Sequence, residues 1–213
     1  MKTEDLITLL ATGSDAVDRH AAARRFAVAL GWGAAGTVLL MALLLPVRAD
    51  LAAAALLPMF WIKAGFVGAL AGASLFAALR LSRPGARIEW VPGALVAPVL
   101  VMWAIAAFAM FEAEPLQRSR LFLGETWQSC PLLIAMLSVP VFIAVMWAMK
   151  GLAPTRPVFA GFMAGLLAGA TAALAYCLHC PEMGAPFVGF WYLLGMLITA
   201  GVGALLGPYL LRW

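Results

Sequence analysis

The sequence predicts an all-α integral membrane bundle of six transmembrane helices preceded by a short helical tail, and three observations predict it. Of the 213 residues, 65% are hydrophobic and only 11% charged, where a soluble domain carries about 25% charged residues. Six apolar runs approach the roughly 20 residues needed to cross a hydrocarbon core of about 30 Å. The segments between them are short. A particle of 22.5 kDa with 14 basic and 10 acidic residues cannot coat itself for water, so its solvent is largely lipid. The same apolar content excludes a disordered chain. With a net charge of only +4, the sequence pI near 9.3 gives no reason to expect direct contact with nucleic acid.

The spans fall near residues 26–46, 55–79, 91–111, 130–149, 157–178 and 187–210. The first begins after Arg24 and Arg25 and is too long, and too far into the chain, to be the apolar region of a cleaved signal peptide. Residues 26–213 therefore read as one transmembrane domain and residues 1–25 as a tail. Six spans put both termini on one side, and the distribution of Lys and Arg selects the side. Ten basic residues, Lys2, Arg19, Arg24, Arg25, Arg80, Arg83, Arg87, Lys150, Arg156 and Arg212, fall with the termini; Arg48, Arg118 and Arg120 fall opposite. The expected orientation has both termini in the cytoplasm of a bacterial inner-membrane protein. The connection from Glu112 to Ser129 is then the one candidate for an outer cap.

Glycines recur within the spans, and Gly161, Gly165 and Gly169 share one helical face. Such a face lets helices approach closely, inside the bundle in preference to a homodimer interface. Trp32, Trp61, Trp90, Trp127, Trp191, Tyr192, Tyr209 and Trp213 lie mostly at span ends, as an aromatic belt does. The 11 methionines are scattered and read as packing. No histidine pair, phosphate-cradling loop or Ser/His/Asp set is present to hold a cofactor or perform catalysis, and none is expected.

Lys63 is the one charge well inside a span. A lysine there is costly unless it snorkels or meets polar groups. It either reaches the outer interface, pairs with an outer-loop carboxylate, or serves transport. No other span offers a partnering carboxylate, and broken-helix repeats are not evident, which counts against a channel or transporter.

Cys130-Pro131 opens the fourth span and Cys180-Pro181 follows the fifth, both at the outer face; Cys177 lies one turn before Cys180. In an oxidising compartment such thiols can form a disulfide, act as a redox pair, or bind a soft metal ion with help from His179. Packing or a structural disulfide, a sensing or metal-responsive pair, and a catalytic thiol all remain open. Cys177-x-x-Cys180 is by itself a weak redox motif, and a membrane thiol-disulfide oxidoreductase is the rival it raises.

In the tail, Thr3 is a plausible N-cap, Glu4 and Asp5 occupy the first turn, and Leu6, Leu9, Leu10 and Val17 share a face with Ile7 beside it. A second short helix is expected from Ser14, with Asp15 and Asp18 at its start. So short an apolar stripe cannot form a core. It docks onto a cytoplasmic partner, packs under its own bundle, or lies on lipid; the acidic start disfavours anionic lipid.

The opening Met1-Lys2-Thr3-Glu4-Asp5-Leu6-Ile7, the Pro58-Met59-Phe60-Trp61-Ile62-Lys63 start of the second span, and Cys130-Pro131 with Cys180-Pro181-Glu182 resemble the NrsF family. Its members are six-span bacterial inner-membrane anti-sigma factors, negative regulators of sigma-F. The resemblance implies that the tail, through Glu4, Asp5, Leu6, Ile7, Leu9 and Leu10, holds an extracytoplasmic-function sigma factor away from RNA polymerase. It also implies that Cys130 and Cys180 perceive heavy-metal or oxidative stress in the periplasm, with metal ions held at most transiently. Cys177 has no counterpart in the motif.

Overall fold

The computed structural model describes residues 3–12, 20–83, 90–152 and 154–212. The second tail helix expected from Ser14, with Asp15, Asp18 and Val17, lies outside these residues. The described elements are helical: α1 (Thr3–Thr12), α2 (Ala21–Leu44), α3 (Leu51–Ala54), α4 (Pro58–Leu81), α5 (Val91–Glu112), α6 (Pro115–Leu123), α7 (Cys130–Leu137), α8 (Val139–Lys150), α9 (Pro157–Tyr176), α10 (Ala185–Phe187), a π-helical turn (Val188–Tyr192) and α11 (Leu193–Leu210). Five helical stretches, with Ala185–Leu210 taken as one, are long and apolar enough to cross a membrane. The bent pair α7 and α8 makes a sixth.

The spans match the expected runs, with α2 opening five residues early because Arg25 stays helical and stacks on the Trp147 ring at 4.7 Å. Thr3 lies inside the first turn of α1 rather than capping it. The fourth span is not one straight rod: it bends by 44° between Leu137 and Val139. Pro140 follows at once, and proline removes an intrahelical donor and crowds the preceding turn. The hydroxyl of Thr37 on α2 donates to the Leu137 carbonyl at the bend (2.9 Å). Close contact makes this possible, since a Cβ on Gly33 would stand 2.8 Å from the Val141 Cα.

Helix α9 forms the centre, packed by α4, α8, α7 and α11. Its glycine face is used within the bundle. A Cβ at Gly161 or Gly165 would collide with the carbonyls of Gly203 or Thr199 on α11, so only glycine allows this approach. Thr199 lies at the seam and donates to the Gly165 carbonyl (2.9 Å). Helix α5 lies at the periphery against α4 and the α10 turn. The connection from Glu112 to Ser129 forms α6, which packs on α10, and a loop whose Glu125 amide donates to the Glu182 carboxylate.

The π-helical turn follows α10. The Trp103 indole donates to the Gly189 carbonyl (3.0 Å), and a side chain that takes a carbonyl out of the helical ladder favours such a widened turn. The added residue changes the register, and Tyr192 is fully buried. It is a core residue and not part of an aromatic belt, whereas Trp32, Trp61, Trp90 and Tyr209 are exposed.

Candidate functional site

Three elements bring the cysteines together. Cys130 is the first residue of α7, its amide bonded to the Thr126 carbonyl (2.9 Å). Tyr176 is the last residue of α9, and its carbonyl accepts the amides of both His179 and Cys180 (3.0 Å each), turning the chain back over the helix end. Cys177 and Cys180 lie in this turn. All three cysteines are free and buried.

The Cys130 thiol lies within interaction range of the Cys180 thiol, which stands 50 residues later in the chain. The neighbouring Cys130 thiol, helped by the positive charge of Lys63, draws the Cys180 thiol below the ordinary cysteine range against the opposing effect of burial. Burial pushes the Cys177 thiol up. Tyr176 and Tyr192 wall the site, their rings 5.7 Å apart.

Lys63 neither snorkels to solvent nor meets a carboxylate through its described bonds. It is 0% exposed, and its ammonium donates to the main-chain carbonyls of Cys180 (3.2 Å) and Glu182 (3.1 Å). It also sits 4.7 Å from the centre of the Tyr192 ring, in cation–π range. Main-chain carbonyls of the loop after α9 receive the ammonium in place of solvent or a carboxylate, and such acceptors leave no trace in the sequence.

The loop carrying Cys180 is fastened from several sides. The Arg48 amide donates to Leu178 O (3.1 Å) and its guanidinium to Cys180 O (3.4 Å). His179 Nδ1 donates to Pro46 O (2.6 Å), so the histidine expected to assist a metal is tied to the α2–α3 connection. The Glu125 amide donates to the Glu182 carboxylate (2.7 Å). Arg48 is held in turn by a bidentate pair with Asp50 (2.8 and 2.6 Å), whose hydrogen bonds keep the Asp50 carboxyl below its usual range and Arg48 above its own. Arg120, Gly124, Glu125, Pro181 and Glu182 line an open cleft of about 640 Å³ beside the loop.

Among the described residues no group of three or more His, Cys, Asp or Glu side chains is arranged to hold a metal ion. The donor set for a soft cation is the Cys130 and Cys180 sulfurs, a pair suited to oxidation or two-coordinate thiophilic binding.

At the other end of the chain, α1 presents Leu6 and Ile7 at 41% and 61% exposure, with Glu4 and Asp5 in its first turn. Leu9 and Leu10 lie in the same helix. Thr8 and Thr12 bond back to the carbonyls of Glu4 and Thr8 (2.9 Å each), pairing polar groups within the helix.

A helical bundle of membrane-crossing composition, with a buried two-thiol site at one end and an exposed amphipathic helix before its first span, has the parts of a membrane regulator. The chain belongs to the NrsF family, described as negative regulator of sigma F, which it matches over residues 10–213. It is 70% identical over its full length to the probable anti-sigma-F factor NrsF of Azospira oryzae, itself covered completely. It is 40% identical over 215 aligned positions to the anti-sigma-F factor NrsF of Caulobacter vibrioides, again with both chains fully covered. No solved structure matches.

Proposed function

We propose that this chain is an anti-sigma factor of the bacterial inner membrane, regulatory and not enzymatic, with both termini in the cytoplasm. The observation that carries the reading is the full-length identity to two relatives named as anti-sigma-F factors. Helix α1 docks an extracytoplasmic-function sigma factor through Leu6 and Ile7 with Leu9 and Leu10, while Glu4 and Asp5 favour a basic rim on the partner. Cys130 and Cys180 form the periplasmic sensor for heavy-metal or oxidative stress. The contact between these thiols supports this role, and the gathering of ten of the 14 basic residues on the side of the termini supports the orientation.

The signal must act through two arrangements of the bundle, since coupling is a free-energy difference between states. Cys130 starts α7 and Cys180 lies in the turn that follows α9, so bonding their sulfurs to each other or to a metal ion changes how the fourth and fifth spans meet. Moving an equilibrium from 1:99 to 99:1 takes about 5.5 kcal/mol. A disulfide, typically worth about 2–4 kcal/mol, supplies much of that.

The test uses the full chain in membranes with its bound sigma factor. Cadmium or dichromate should release the sigma factor from the parent and fail to release it from Cys130→Ser/Cys180→Ser. Release unchanged in the double variant would refute the sensing role.

A further inference from the structure

Among the described bonds that fasten the Cys180 loop, those from Arg48, His179 and Glu125 join loop to loop. The Lys63 bonds differ in origin. Lys63 stands on α4, a helix long enough to cross the membrane, which continues to Leu81 at the other end of the bundle and packs along the central α9. Its ammonium is completely buried, with the carbonyls of Cys180 and Glu182 and the face of Tyr192 as its described partners. Carbonyl dipoles and a ring face compensate a buried cation only while they stay aimed at it. If the loop lifts, the ammonium loses both acceptors at a depth where replacing them needs water or movement of α4. Loop position and helix position are therefore one variable.

We propose that Lys63 is a positioning residue for the thiol pair, fastening the loop that carries Cys180 to α4 so that rearrangement at the sulfurs is transmitted to a membrane-crossing helix. This rests on the sensor reading of Cys130 and Cys180 for its biological meaning. The physical claim, a lysine-held loop, does not depend on any sigma factor. Two carbonyls two residues apart in the chain could be bridged by any donor of matching length, which makes the conservative substitution informative.

The experiment uses the full chain in detergent without a partner, with maleimide reaction at Cys180 followed by peptide mass spectrometry. Removing the two charge-assisted bonds in Lys63→Met should speed the reaction by about tenfold. Lys63→Arg, which again donates to two carbonyls, should return it to within about twofold of the parent. An unchanged rate in Lys63→Met overturns the proposal. So does an equal acceleration in both variants, because general loosening by altered packing would not be reversed by arginine.

Should Lys63→Met fail to accumulate, the parent protein decides alone. Acetylation by an N-hydroxysuccinimide ester should leave Lys63 at least about tenfold slower to react than the exposed Lys150. Equal rates would overturn the proposal. Failure here leaves the sensing role of the cysteines standing, and failure of the Cys130→Ser/Cys180→Ser release test leaves the lysine-held loop standing.

Discussion

The thiol site and α1 are built on opposite plans. Around Cys130 and Cys180 the chain supplies its own partners: α4 gives Lys63, α9 Tyr176, the π-helical turn Tyr192, and the connecting loops Arg48 and Glu125. Along α1 the exposed Leu6 and Ile7 offer apolar surface outward. A site closed in this way admits small reagents, such as an oxidant or a metal ion. An exposed apolar helix suits a macromolecule that can cover it. In the proposed function, reception falls to the closed site and output to α1.

The strongest way to break this contrast is to remove its open half. Deleting residues 1–12 should abolish retention of the sigma factor while leaving the bundle folded, measured by co-purification and by the circular dichroism of the remaining helices. Retention without these residues would move the interface to the inner loops.

The closed half depends on the α9–α11 seam, and Gly165→Leu should prevent accumulation of folded protein. Even Gly165→Ala should cost about 1–3 kcal/mol by overpacking, because the Cβ meets main chain rather than a movable side chain. Thermal unfolding in detergent checks this; an unaltered midpoint would contradict the close approach.

Single charges on the open half should act on binding and spare stability. Leu6→Asp or Ile7→Asp should weaken sigma-factor binding by about tenfold, the size of a lost apolar contact, without shifting the unfolding midpoint. A shifted midpoint would mean that α1 packs on its own bundle.

The smallest effect is expected from acid. The Arg48–Asp50 pair lowers the folded-state pKa of Asp50, so its contribution is present above the ordinary aspartate value of about 3.9 and fades as pH falls below it toward the lowered value. Comparing the parent with Asp50→Asn from about pH 5 to 3 should show a small difference that closes on acidification. A difference that widened would have the wrong sign.

The spans were legible because each is a run of apolar residues long enough to cross lipid, and the glycine face of α9 because its spacing survives any partner. The contact between Cys130 and Cys180 could be suspected only from their shared Cys-Pro setting and common side. Three features left weaker traces. The bend before Pro140 is one proline among several, and Pro98 and Pro208 lie inside helices that continue through them. Tyr192 was misplaced because the π-helical turn, set by a bond from Trp103 far away in sequence, shifts the register that belt arguments assume. The partners of Lys63 are main-chain carbonyls, which carry no residue signature.

The central position of α9 also constrains how the molecule is made. Its membrane-crossing window is 67% buried, against 11% for α5, and the surface that buries its glycine face belongs to α11, which follows it in the chain. In the order of synthesis α9 precedes the helix that completes its packing. The turn carrying Cys177 and Cys180 likewise precedes Tyr192 in the chain, so the wall of the thiol site closes only once the segment that follows it has folded back.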